Sequence, residues 1–408
     1  MTVPRFAFSA LALIILQIIP IFKALPLNGR DDPPPQLLAA TQLSAVEARM
    51  LELAKGSWEL GTAAQSILEV EYPSLCVFSS SAIPPPTRLP KGENATKILA
   101  ITDRVVQARP PGVLSFMPDQ SAGDPPSLGV SMLLANFTDR SPSVTKSNAY
   151  DIAISDQLDY ILTRAPRAPN NAISHRVDQV QLWSDSVYMV PPFLAYFAAL
   201  HNDVGVMRAA YDQIRLYRDV LFDGSVGLWR HIVLGSGEDL GHWSTGNAWA
   251  AAGIMRVLAT ISSSSLSRQF VAEQGNLEGW ALEIIQNIWK YQQPNGTLLN
   301  YATDGTSFAD SASTALLAAA TYRLAIRLPK TNLTFAIGAA SKARTLVSRS
   351  IDSNGWLTNV VDPWNYPLRG NQSAEGQAFV LSLEAAYRDY LSELKISEIR
   401  VGGVLSPK

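Results

Sequence analysis

Apolar residues recur at spacings of three and four along most of the chain, as in Ile154, Leu158, Ile161 and Leu162. That is the period of a helix with one buried face. The pattern predicts helices over about 39–72, with a break near Gly61, and then over 97–107, 127–136, 146–164, 185–201 and 204–221. It continues over 244–262, 277–292, 311–327, 333–350 and 374–391. Proline-rich stretches at 84–86 and 109–126 read as loops. Pro191 and Pro192 fall inside the 185–201 pattern and predict either a kink there or a later start. No strand-like run exceeds a few residues.

Several of these helices are apolar on more than one face, as in Ala248-Trp249-Ala250-Ala251-Ala252-Gly253-Ile254-Met255. A helix enclosed between its neighbours and an outer layer reads this way. Loops carrying Gly with Trp or Asn recur at 223–229, 294–297 and 352–357, at irregular intervals. The expected fold is therefore all-α: degenerate helical hairpins closed into a ring, forming one domain over 38–395 with its loops gathered at one mouth.

Composition narrows the class. With 47% hydrophobic and 17% charged residues among 408, the chain is globular rather than disordered. A formal net charge of -2 gives no electrostatic footprint for nucleic acid or an acidic membrane surface. At the start, Arg5, the largely apolar run Phe8 to Phe22 and Ala24 have the layout of a secretory signal over 1–24. The alternative is an uncleaved anchor, against which the run is short for a bilayer span. Residues 25–37 read as an unpacked leader and 396–408 as a tail. Asn-x-Ser/Thr sites at Asn94, Asn136, Asn295, Asn332 and Asn371 agree with export and glycosylation. The single cysteine, Cys76, has no internal partner for a disulfide and is expected as a small buried hydrophobe.

Candidate chemistry concentrates in 172–193, where His175 precedes Trp183, Asp185, Tyr188 and Met189. The ordinary reading of Asp185 is a helix-start acid favoured by the macrodipole. Yet Trp183, Asp185 and Tyr188 lie within about two helical turns of one another, so indole, carboxyl and phenol can face one space. Flat apolar faces mixed with polar tips suit a sugar ring. Three further clusters combine aromatic and polar groups: Leu228-Trp229-Arg230-His231, His242-Trp243-Ser244-Thr245-Gly246-Asn247-Ala248-Trp249, and Ser373-Ala374-Glu375-Gly376-Gln377. For these, satisfied surface histidines, core tryptophans and helix-start acids are the plainer readings. Asp310-Ser311-Ala312-Ser313 reads as a helix cap. No H-E-x-x-H, C-x-x-C, phosphate-binding Gly loop or G-x-S-x-G elbow is present. Neither a metal nor a cofactor is expected.

In their order, Trp183-Ser184-Asp185, Pro192-Phe193-Leu194-Ala195, Trp229-Arg230-His231, Trp243 to Trp249 and Ser373 to Gln377 resemble the six-hairpin glycosidases. Within that group the chain is most similar to glycoside hydrolase family 105, the unsaturated rhamnogalacturonyl hydrolases, over roughly residues 120–390. The resemblance implies an (α/α)6 toroid and a secreted enzyme of pectin breakdown acting on an oligosaccharide. It makes Asp185 the general acid and base and Asp124 a second acid. It also implies that His175, His231, Trp183, Trp243 and Trp249 line the sugar pocket. Where many members carry an arginine, this chain has Thr245, which cannot make a bidentate pair with a uronate.

The chemistry so implied is hydration of a C4=C5 double bond by one carboxyl group, for which Asp185 would need a raised pKa. Two alternatives stay open on the sequence. One is a six-hairpin hydrolase of a saturated glycan, mannanase-like, which would call for two adjacent acids. The other is a sugar-binding protein without catalysis.

Overall fold

The computed structural model describes residues 37–89, 95–138 and 148–402, all within one compact unit that starts at Leu37. The expected signal and leader, and Asn94, lie outside the described residues. Among those described there are twelve α-helices: α1 (Ala40–Leu53), α2 (Ser57–Glu71), α3 (Thr96–Ala108), α4 (Gly129–Phe137), α5 (Ala149–Asp159) and α6 (Ser186–His201). They continue with α7 (Val204–Leu221), α8 (Ser244–Ser263), α9 (Val271–Ile288), α10 (Ser311–Arg327), α11 (Thr334–Arg349) and α12 (Ala374–Gly402). The even-numbered helices stand side by side as an inner ring, closed where α12 packs on α2, and the odd-numbered helices form an outer layer. This is the expected (α/α)6 toroid.

Burial separates the layers as helix periodicity requires. In α8 and α10 nearly every residue is buried, because each inner helix has neighbours on both sides and a helix behind it. In α7 and α11 one face is buried and the other solvated. Asp203 caps α7 by accepting from the Val206 amide at 3.0 Å. Asp310 caps α10 by accepting from the amides of Ala312 and Ser313 at 3.1 and 2.9 Å, as its sequence context predicted.

Three expectations change. The first helical pattern breaks at 54–56, not at Gly61, which lies inside α2. A Cβ at Gly61 would stand 2.2 Å from Ser127 Oγ, so glycine there serves a close approach of chain segments rather than a break. The helix that carries Pro191 and Pro192 starts at Ser186 and runs through both prolines. Each proline lacks the N–H that would bond the carbonyl four residues earlier, which leaves Val187 and Tyr188 without helical partners. Helix α8 answers the second, where Arg256 Nη1 donates to the Tyr188 carbonyl at 3.1 Å, and Gly253 lets the α8 backbone lie close against the Val187 carbonyl. Finally, the expected tail begins as helix, since α12 continues to Gly402.

Among the described residues, four two-stranded antiparallel ribbons interrupt the loops. They are β1 (Leu182–Trp183) with β4 (Ile232–Val233), β2 (Phe222–Asp223) with β3 (Leu228–Trp229), β5 (Leu298–Leu299) with β6 (Ala309–Asp310), and β7 (Val360–Val361) with β8 (Arg369–Gly370). With single bridges, they join the loops that lead into successive inner helices. Ser121 pairs with Arg176, β1 with β4, and Trp243 with Tyr301, while the Ser311 amide donates to the Asn359 carbonyl. Side chains complete the circuit: Ser57 Oγ donates to Asp119 at 2.6 Å, and Trp58 Nε1 to Glu375 at 3.0 Å. The N-terminal ends of the inner helices are thus held around one mouth.

Candidate active site

Asp185 is the last residue before α6, yet its side chain makes no capping bond to that helix. The ordinary reading of this acid as a cap fails. Its Oδ2 lies 3.7 Å from Nε2 of His231, and Ser184 Oγ donates to it at 3.3 Å. The loop before the adjoining inner helix brings Asp124, whose Oδ1 lies 3.7 Å from Nε2 of His175. Each carboxyl therefore has a histidine ring against it, and Trp183 joins the two rings. It stacks on His175 with centroids 4.6 Å apart and meets His231 edge-on at 5.5 Å.

The titrations follow from this crowding. Burial, aided by the charge of Asp185, pushes Asp124 up to about 7. Burial pushes His175 down to about 4, so its ring is neutral in neutral solution. The acid that burial raises beside Asp185 is Asp124.

His231 is fully buried and fixed from behind. Its Nδ1 donates to Asp239 at 2.8 Å, and the Tyr301 hydroxyl donates to the same carboxylate at 2.6 Å. With Nδ1 so engaged, Nε2 is left free of protein partners and faces Asp185. Trp243 and Tyr366 pack on the same ring at 4.3 and 4.4 Å between centroids. Trp243 Nε1 donates to Asn300 at 2.8 Å, which fixes the indole.

Of the residues expected in the pocket, the structure brings together Asp124, Asp185, His175, Trp183, His231 and Trp243. Thr245 is adjacent but fully buried, and its hydroxyl donates to Asp310 at 3.1 Å. Tyr188 and Trp249 are elsewhere. They pack on each other inside the ring, 4.5 Å apart, with Arg256 over the tyrosine and Phe379 against the tryptophan. Both are core residues, because positions one turn into an inner helix face the helix packing rather than the mouth. Cys76 is buried as expected, and burial pushes its thiol up to about 12.

Sequence reasoning missed Trp58, Asp119, Asp239, Tyr301 and Tyr366. Trp58 carried a usable signal, since Ser57-Trp58 opens an inner helix much as Trp243-Ser244 does. Asp119, pushed up to about 6 by burial, and Asp239 sit in loops without local pattern. By its sequence context Glu375 is a helix-start acid. It is buried against Trp58, and burial with the charges of Glu59 and Asp185 raises it well above the usual carboxylate range.

A toroid of six helical hairpins with two acids and an aromatic wall at the mouth of its inner helices defines a six-hairpin glycoside hydrolase. The profile of Glycosyl Hydrolase Family 88 matches residues 140–362, and the chain belongs to that family. Solved structures agree on the fold. A protein of Salmonella enterica serovar Paratyphi A, described as a possible member of family 105, is 16% identical with a TM-score of 0.68, over 90% of this chain and 100% of that one. The family 105 glycoside hydrolase of C. acetobutylicum is 13% identical with a TM-score of 0.63, over 85% and 99%. The unsaturated glucuronyl hydrolase of a Bacillus species is 14% identical with a TM-score of 0.57, over 85% and 95%. No curated protein matches the chain.

Proposed function

We propose that the protein removes the terminal unsaturated uronyl residue from oligosaccharides left by a polysaccharide lyase, of the rhamnogalacturonan type. The observation that carries this reading is the pair Asp124 and Asp185, each beside a histidine, with Asp124 still holding its proton near neutral pH. Asp185 delivers a proton to C4 of the C4=C5 bond, water adds at C5, and Asp185 takes a proton back from that water. The hemiketal at C5 opens to a ketone, its ring oxygen stays on C1 as a hydroxyl, and the resulting C1 hemiacetal releases the alcohol of the next sugar. Asp124, as a neutral acid, offers a hydrogen bond to the reacting ring. Trp183, Trp243 and Tyr366 provide apolar faces for it.

Export is part of the proposal. It rests on the signal-like residues 1–24 and on the exposed sites Asn295, Asn332 and Asn371. Incubation with a rhamnogalacturonan lyase digest should remove the ultraviolet absorbance of the conjugated double bond and release the shortened oligosaccharide. Unchanged absorbance across lyase digests of several uronic polysaccharides would defeat the reading. An N-terminus at Leu25 and a mass shift on N-glycosidase treatment would support export, and an intact leader on an unglycosylated chain would remove it.

A further inference from the structure

Among the described residues, carboxyl groups crowd the mouth and no arginine or lysine stands free within it. The carboxyl groups of Asp119, Asp185, Asp239, Asp310 and Glu59 surround it, and those of Asp124 and Glu375 join them with their protons held by burial. The cation felt by Asp124 and Asp119 is Arg176, which stands at the rim with its guanidinium on Asp178. Arg230 is held by Asp223, and Arg369 lies over Phe308.

Five neutral donors are spent on the protein. Trp58 Nε1 donates to Glu375, Trp183 Nε1 to Gln181 at 2.9 Å, Trp243 Nε1 to Asn300, the Thr245 hydroxyl to Asp310 and the Tyr301 hydroxyl to Asp239. His231 spends its Nδ1–H on Asp239, so in the neutral ring its buried Nε2 presents a lone pair. An ionised C6 carboxylate brings about four lone-pair sites and a negative charge, and needs donors or a cation to replace its water.

We propose that the sugar bound at this mouth carries its C6 group in uncharged form, as the methyl ester of the unsaturated uronate rather than the free acid. The inference rests on the unsaturated-uronide reading above and refines its substrate. An ester keeps the C4=C5 bond in conjugation and removes the charge that Asp239 and Asp310 would repel. Its methyl group adds apolar contact against the flat rings of Trp183, Trp243 and Tyr366, which meet around His231. It follows that the enzyme consumes the product of a lyase that cleaves esterified uronan.

The test is steady-state kinetics on one Δ4,5-unsaturated digalacturonate, prepared as the free acid and as the methyl ester at the unsaturated ring, at pH 7. Loss of ultraviolet absorbance follows both forms. Like charge inside a desolvated site is costly, so KM for the ester should be lower by roughly tenfold or more. An equal or lower KM for the free acid overturns the ester proposal while leaving unsaturated-uronide hydrolysis in place. Consumption of neither form, with the corresponding rhamnogalacturonan products also untouched, overturns both. Because the comparison uses the unaltered protein, it does not depend on any variant folding.

Discussion

His231 donates through Nδ1 to Asp239 at 2.8 Å and thereby turns its unpartnered Nε2 toward Asp185, 3.7 Å away. The carboxylate of Asp239, itself held by Tyr301, decides which tautomer of the ring faces Asp185. Asp239→Asn can present an amide N–H to Nδ1 and so favour the other tautomer. The expected result is a fall of at least about tenfold in kcat with an altered pH profile. Tyr301→Phe should fall less, since Asp239 remains. If Asp239→Asn keeps kcat and its pH profile, Asp239 has only a structural part.

Asp185→Asn keeps size and hydrogen bonding and removes the exchangeable proton. Turnover should fall by about 10² to 10⁴, in kcat more than in KM, with an unchanged circular dichroism spectrum. Retention of most activity would exclude Asp185 as the acid and base.

The raised pKa of Asp124 ties stability to pH. Unfolded, its carboxyl ionises near 3.8; folded, it holds its proton to about 7. The folded state therefore binds more protons between these values, so this group's contribution to stability is largest below about 4. It declines as pH rises and is lost above about 7. The shift sets an upper bound of about 4 kcal/mol on the effect. Asp124→Asn should melt above the wild type at pH 8 and lose that advantage towards pH 4, while its rate drops at every pH. Wild-type activity should decline above pH 7 as Asp124 ionises. A melting difference independent of pH would contradict this account.

Thr245→Arg would place a guanidinium beside Asp310. It should raise the rate on the free uronate relative to a neutral analogue. Equal ratios in variant and wild type would show that position 245 does not govern charge selection.

Away from the mouth, Arg256 provides the hydrogen bond that Pro192 removed from the Tyr188 carbonyl. Arg256→Met leaves that buried oxygen unpartnered and removes the guanidinium from above the Tyr188 ring. A loss of about 2–3 kcal/mol is expected from chemical denaturation. A loss under about 0.5 kcal/mol would mean that relaxation or water supplies the bond.

Local periodicity determined much of this architecture. The spans Val204–Leu221 and Ser311–Arg327 coincide with their sequence patterns, because the apolar stripe and the capping acids Asp203 and Asp310 are local features. The same is true of the inner helix at 248–255, whose all-round apolarity has no other use. Among site residues, Trp183, Asp185 and Trp243 were recognisable because they stand at or just before helix starts within motifs, whereas Asp124, His175 and His231 were assigned to the site through the resemblance to the family.

Tertiary structure alone decided the rest. Gly61 carries no break, because what matters there is the approach of Ser127 from a segment distant in sequence. Tyr188 and Trp249 share motifs with site residues, yet they turn inward, since one turn along an inner helix exchanges the mouth for the core. Asp239, Tyr301 and Tyr366 reach His231 from three loops whose meeting is set by ring closure, not by spacing along the chain. The charge balance of the mouth belongs to that second kind of information: a sequence fixes how many acids a chain has, but only packing places them where burial and mutual repulsion hold the proton on Asp124.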